Sequence, residues 1–251
     1  IRDRYYLGLS YRTDGSSRLA RENRWGSFWS VSGAWRFIDE SFLNPVKSVL
    51  TDGKLRVSYG VNGTQPSDYY AYMNLYKYGI IYNGQSGMSI VGIANPDLKW
   101  EKNKTWNIGL DLSFIDRISV TFDYYQRTTT GMLGPGQLLP NILGATEPQE
   151  NAADMRTSGW ELALTWNDQL SNGLHYSVGF NLSDTKAKIT KYDNPTNSLS
   201  SAYYEGETIG EIWGYESTLF QSQEEIDNAP DQSKVDGAIS KVPGDIRFMD
   251  I

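Results

Sequence analysis

Residues 95–132 read NPDLKWEKNKTWNIGLDLSFIDRISVTFDYYQRTTTGM. From Trp106 to Phe114 every even position is apolar or aromatic (Trp106, Ile108, Leu110, Leu112, Phe114), and Asn107, Gly109, Asp111 and Ser113 lie between them. A strict period of two marks a strand with one greasy and one wet face. Ile115-Asp116-Arg117 interrupts it, and the alternation resumes with Ile118, Val120, Phe122 and Tyr124 against Ser119, Thr121, Asp123 and Tyr125. This predicts a hairpin with a very short turn. Only an even sum of paired residue numbers keeps these two greasy faces together. The predicted sum is 232, which sets Phe114 opposite Ile118, Leu110 opposite Phe122 and Gly109 opposite Asp123.

A strand of about ten residues rises roughly 33 Å, and a tilt near 45° projects this to about 24 Å, the height of the apolar band of an outer-membrane barrel. Composition agrees. The 251 residues include 17 Tyr and 8 Trp, and aromatic residues make up 13%. No run approaches the 18 or so apolar residues of a membrane-spanning helix, whereas alternating strands average to a polar-looking score. Cysteine is absent, which removes disulfides, thiolate metal sites and a cysteine nucleophile together. A net charge of −7 argues against a nucleic-acid-binding surface. The chain opens on a strand, so the barrel reading requires a signal peptide upstream and makes this chain part of something larger.

The same alternation recurs along the chain. Residues 4–13 place Tyr5, Leu7, Leu9 and Tyr11 on one face. Residues 27–37 place Trp29, Val31, Trp35 and Phe37 outward, and 53–62 present Leu55, Val57, Tyr59 and Val61. Trp160, Leu162, Leu164 and Trp166 mark a sixth strand over 158–167. After Ser171-Asn-Gly173, Leu174 to Leu182 mark a seventh. Residues 38–52 hold at most a short helical turn before Pro45, and 63–99 reads as a long connection without structure of its own. Two turns are very short and the remaining connections long, matching periplasmic turns and extracellular loops. Parity puts 38–52 in the periplasm and 14–26, 63–99 and 132–157 outside. The organisation is therefore an all-β, antiparallel up-and-down transmembrane barrel over 1–186, followed by a long extracellular region over 187–251.

A soluble β-sandwich or β-propeller shares the alternation. Against it stand outward faces apolar over four or five successive positions, aromatics recurring near strand ends, and inward faces too wet for a packed core. Arg12, Arg36, Arg56, Asp111, Asp123 and Glu161 face the lumen on this reading. The acids among them need no catalytic role, and the single histidine, His175, lies on the same wet face without clustered partners. No catalytic or resident metal site is expected. The long loops expose Tyr69, Tyr70, Tyr72 and Tyr76, then Tyr203, Tyr204, Trp213 and Tyr215, beside amides and carboxylates. That mixture suits sugars or peptides, because flat rings cover apolar ligand faces while polar groups take hydrogen bonds. It equally suits loop packing or a docked partner.

Several stretches in order carry a resemblance: Arg12-Thr-Asp-Gly-Ser-Ser-Arg18, Trp25-Gly-Ser-Phe28 with Ser30-Val-Ser32 and Trp35-Arg36, Lys54-Leu-Arg-Val-Ser-Tyr-Gly60, Asn95-Pro-Asp-Leu-Lys-Trp-Glu101, Asn107-Ile-Gly-Leu-Asp111, Asp123-Tyr-Tyr125, Gly159-Trp-Glu-Leu162 and Pro243-Gly-Asp-Ile246. The series resembles the SusC/RagA class of TonB-dependent outer-membrane transporters of Bacteroidetes-type bacteria. Trp29 stands where that class commonly has proline. The resemblance implies a barrel of about 22 strands closed by a plug, of which this chain is an internal part. It implies import of oligosaccharides or peptides with a SusD-like surface lipoprotein, TonB acting through an upstream region, and outer-membrane lipid around the strands. It also implies a Ca²⁺ site in the loop beginning at Asp245 and Asp250, of which this chain carries at most half. A passive porin or adhesin barrel, and a soluble β-rich carbohydrate-binding domain, are the alternatives.

Overall fold

The computed structural model describes residues 3–135, 142, 148–192, 203–212, 214–237 and 239–249. Seven antiparallel strands form one sheet: β1 (Tyr5–Gly15), β2 (Trp25–Trp35), β3 (Leu50–Thr64), β6 (Glu101–Phe114), β7 (Ile118–Pro135), β8 (Gln149–Gln169) and β9 (His175–Tyr192). They lie side by side in chain order, with β1 and β9 at the open edges. Between β3 and β6 a separate hairpin, β4 (Leu75–Tyr82) and β5 (Gln85–Gly92), stands outside this sheet.

The register follows from the alternation. Phe114 pairs with Ile118, Leu110 with Phe122 and Gly109 with Asp123, as the sum of 232 predicts. Carried across neighbouring strands, Leu55, Leu110, Phe122, Leu162 and Leu182 fall in one row. Aromatics pair above and below the apolar rows. Trp106 meets Tyr124 at 5.4 Å and Trp29 meets Tyr59 at 5.5 Å, while Trp166 and Tyr176 lie at 6.4 Å near the short turns. Leu7 and Leu9 are each 75% exposed, Phe122 39% and Val178 60%. A sandwich would bury these side chains under a second layer, so their exposure makes the apolar face a lipid-facing one.

Two expectations are corrected. The connection 63–99 is not structureless: β4 and β5 are joined by Asn83-Gly84, with φ of 50° and 75°. Positive φ at both central residues defines the hairpin turn that Asn-Gly favours, so the signal was present in the sequence. Strands also extend well past the expected limits toward the long loops. β8 has 21 residues against the ten expected, a rise of roughly 70 Å along the strand.

The β6–β7 turn is unusual in using Ile115 and Asp116 at φ of 47° and 56°. A β-branched residue there is strained. Its neighbour strand holds the turn, because Ile115 N–H donates to Val49 O at 2.8 Å while Arg117 N–H closes onto Phe114 O at 3.0 Å. Residues 38–52 contain two 3-10 turns, 37–39 and 41–46, the second including Pro45.

Most buried apolar side chains sit at the long-loop end. Leu19, Phe28 and Leu98 are buried, as is Pro66. Phe28 lies edge-on to Trp100 at 5.4 Å, and Trp100 Nε1 donates to Arg24 O at 3.1 Å. Gly26 and Gly63 make room for this ring, since a Cβ at either position would collide with Phe28.

Residues 203–209 add a short ladder to the end of β9: Ile189 N–H donates to Glu207 O, and Ile209 N–H to Ala187 O, each at 2.9 Å. The chain divides into compact units 1–209 and 210–251, so the 186/187 boundary expected from sequence falls inside β9. The second unit pairs β10 (Ser217–Leu219) with β11 (Ile246–Phe248). It also holds α1 (Gln223–Asp227), whose N-cap Ser222 accepts from Glu225 N–H, and α2 (Ser233–Asp236).

Candidate functional site

Alternation puts a second set of side chains on the polar face, and the register arranges them in rows. At mid-height, Arg56, Gly109, Asp123, Glu161 and Ser183 lie in one row. Arg56 reaches sideways over Gly109, where a Cβ would collide with its guanidinium and with Asp123. Its Nε and Nη2 donate to Asp111 at 2.9 Å each, and its Nη1 and Nη2 to Asp123 at 3.1 and 2.9 Å. Lys54 adds a second cation to Asp111 at 3.2 Å. This two-carboxylate grip is strong because the donors form a rigid fork. With both acids held by cations, the arrangement is a wall brace rather than an acid–base pair.

Toward the short turns, Arg36 binds Asp52 at 2.9 Å and Asp39 at 3.7 Å. Glu40 collects three partners: Tyr5 Oη at 2.7 Å, Trp35 Nε1 at 3.3 Å and Arg4 Nη1 at 3.4 Å. The Tyr5 hydroxyl, then the Trp35 indole, hold the Glu40 carboxyl below its ordinary range. Arg117 pairs with Asp168 at 3.1 Å at the same end. His175 begins β9 and is exposed.

Toward the long loops, a hydrogen-bonded network crosses β3, β6 and β7. Thr129 Oγ1, buried, donates to Asn103 Oδ1 at 2.6 Å. Asn103 Nδ2 donates to Thr64 Oγ1 and to Glu101 Oε1, each at 3.2 Å, and Leu133 N–H donates to Glu101 Oε2 at 3.3 Å. Asn151 fastens the 95–100 segment. It accepts from Lys99 N–H at 2.9 Å and donates to Lys99 O and Gly131 O at 3.0 and 2.8 Å. Lys99 and Glu101 belong to the Asn95–Glu101 stretch that carries the resemblance; for the others the only signal was position on strands longer than the alternation suggested.

Tyr69 and Tyr70 are neighbours at 6.4 Å, and the Arg18 guanidinium lies 4.2 Å from the Tyr69 ring centre. Arg18 also donates to Pro66 O and Ser67 O at 2.8 Å, tying two loops together. Tyr72 is half-buried, and Tyr76 lies exposed on β4. Tyr203 packs edge-on against Tyr192 at 5.6 Å, and Tyr204 is half-buried beside it in sequence. Tyr215 belongs to the second unit, where it packs against Phe248 at 5.3 Å. Arg12 pairs with Asp14 at 3.1 Å and lies 5.5 Å from the Phe28 ring centre. Asp245 accepts from Val242 N–H at 2.8 Å. Trp213 and Asp250 lie outside the described residues. Among the described residues no group of three His, Cys, Asp or Glu is placed to hold a metal.

Comparison with known proteins adds to this geometry. Residues 1–244 match the family described as TonB dependent receptor-like, beta-barrel. The chain is 28% identical to TonB-dependent receptor P39 of Formosa agariphila over 234 residues, covering 92% of this chain and 22% of the relative. It is 32% identical to TonB-dependent receptor SusC of Bacteroides thetaiotaomicron over 213 residues, covering 80% of this chain and 20% of the relative. Among solved structures, that of the RagAB peptide transporter superposes with a TM-score of 0.78 at 27% identity, covering 88% of this chain and 25% of that one. The chain thus spans about a fifth to a quarter of the length of the relatives it matches.

Proposed function

Because this chain belongs to the family of TonB-dependent receptor-like β-barrels, we propose that it forms part of the wall of an outer-membrane nutrient importer. The observation that carries this reading is the two-faced sheet. Its rows of exposed Leu, Val and Phe suit lipid, while its other face carries the Arg56 brace and a polar network suited to a watery lumen. The same exposed rows disfavour a soluble carbohydrate-binding domain, which would have to hide them.

In this reading a carbohydrate or peptide is trapped at the long-loop end and passes along the polar wall once an upstream plug is displaced by TonB. The wall supplies hydrogen bonds and charge but neither makes nor breaks a bond, so the chain is not an enzyme. The likeness to RagAB, a peptide transporter, supports the peptide class, and the likeness to RagAB and SusC supports a SusD-like lipoprotein as partner, while the carbohydrate class rests on the sequence resemblance. The β4–β5 hairpin suits such a partner. Tyr76, Tyr78, Ile81 and Met88 are each at least 60% exposed on a protruding two-stranded element, which is scarcely stable without cover. Uptake of labelled peptide and glycan mixtures by cells carrying the full-length protein, with and without TonB, tests the reading. Uptake that vanishes without TonB is the expected result. Uptake indifferent to TonB would instead make the protein a passive porin.

A further inference from the structure

One region of the polar wall has side-chain donors that nothing among the described residues engages. Above the Arg56 row, Gly60, Thr105, Arg127 and Thr157 share a row, and Asn62, Asn103, Thr129 and Met155 share the next. Together these strands enclose an open pocket of about 410 Å³ on the polar face, with Met132 and Met155 supplying its apolar part. Its floor is fixed by the Thr129–Asn103–Thr64–Glu101 network described above, in which every carboxylate and amide is occupied. In particular Glu101, the acid nearest in the pocket lining, already accepts from Asn103 Nδ2 and Leu133 N–H.

Arg127 is different. It is exposed on the wet phase of β7, and among the described residues its side chain forms no ion pair and no hydrogen bond. Thr105, its cross-strand partner, and Asn62, one row above on β3, are likewise without a partner among the described residues. A guanidinium with five donors, a hydroxyl and a carboxamide therefore line one open pocket whose lining holds no competing cation or free acid. The contrast with Arg56, two strands away on the same face and gripped by two carboxylates, shows what this wall does with an arginine that serves the fold alone.

We propose that this pocket is a carboxylate subsite. Arg127 binds a substrate carboxylate through its fork of donors, Thr105 and Asn62 take the adjoining polar group, and the two methionines cover the apolar part next to it. The inference rests on the importer reading in that the ligand is cargo, and it narrows that cargo to acidic molecules. The carboxylate could come from a peptide terminus or from a uronic acid, which present the same planar pair of oxygens.

The test uses the full-length transporter in detergent micelles and calorimetric titration with four probes. These are an N-acetylated alanine peptide with a free C-terminal carboxylate, its C-terminal amide, an oligogalacturonate, and the matching neutral oligogalactoside. One acid is expected to bind about ten- to hundredfold tighter than its neutral twin, and which acid does so identifies the source. Arg127→Gln should abolish that preference, and Arg127→Lys should restore part of it. Thr105→Val offers a second variant that should weaken the same preference, with heat-modifiable migration confirming assembly of each. Absence of any acid preference, or a preference that survives Arg127→Gln, overturns the subsite. Acid binding without TonB-dependent uptake would remove the importer reading but leave the subsite standing.

Discussion

Two arginines on one polar wall are treated in opposite ways. At mid-height Arg56 is held by Asp111 and Asp123 at about hydrogen-bond distance on every side, with Gly109 cleared to let it through. Two rows higher, Arg127 stands over a floor of Thr129, Asn103, Thr64 and Glu101 that are bonded to one another and, among the described residues, not to it. The first region is closed electrostatically and stiffens three strands against one another. The second is rigid in its floor and open in its donors, the combination a binding surface needs. A charged residue on a barrel wall is thus informative only when its partners are counted.

The comparison presumes that both arginines face away from lipid, and the strongest way to break it is on the opposite face. Leu110→Arg should cost about 2–4 kcal/mol of barrel stability near the bilayer midplane, whereas Asp111→Asn, one residue on, should cost clearly less. Urea unfolding in vesicles reads the difference, and equal tolerance at 110 and 111 would refute the face assignment. Next in size is the contrast itself. Arg56→Ala leaves Asp123 without a cation and Asp111 with Lys54 alone, and should destabilise by about 1–3 kcal/mol, the lower end applying because the cluster is part-exposed. Arg127→Ala should change stability by no more than about 0.5 kcal/mol. If the two variants unfold alike, Arg127 has a structural partner and the comparison collapses. Gly109→Ala should recover much of the Arg56→Ala loss pattern at about 1 kcal/mol, since its methyl displaces the guanidinium without removing charge.

The smallest effect lies at the short-turn end. The Tyr5 hydroxyl and the Trp35 indole depress the Glu40 pKa, so the carboxylate's contribution is complete above its ordinary pKa and is lost as pH falls through that value toward the depressed one. Acid unfolding curves should show this loss only below the ordinary glutamate pKa of about 4.3. Tyr5→Phe should flatten that part of the curve, because the hydrogen bond causing most of the depression is gone. An unchanged acid limb would mean that the contact does not persist in the membrane.

The alternation carried the architecture because lipid and water impose opposite demands on successive residues, and register follows wherever both demands hold. It placed Leu110 opposite Phe122 and put Asp111, Asp123 and Arg56 on the wet face. Beyond the lipid band the demand for an oily face ends, so the upper parts of β7 and β8 no longer alternate cleanly and were not visible as strands. The pocket around Arg127 was hidden for that reason, although Arg127 continues the wet phase of β7 from Asp123 and Tyr125. The β4–β5 hairpin was legible from Asn83-Gly84 but obscured by apolar residues on both of its faces. Phe28 is a third kind of case. It sits on the wet phase, and only Gly26, Gly63 and Trp100, distant in sequence, explain its burial.

The length of β8 has a consequence for passage. Its 21 residues, tilted by about 45°, climb roughly 49 Å, about twice the hydrocarbon thickness such a strand must cross. The upper half of β8 therefore stands beyond the hydrocarbon on the long-loop side, where β1 and β2, of 11 residues each, do not follow it, and Met155 of the Arg127 pocket belongs to that half. On the importer reading proposed above, a molecule held there has not yet entered the bilayer's depth, so selection and crossing take place at different altitudes of one continuous surface.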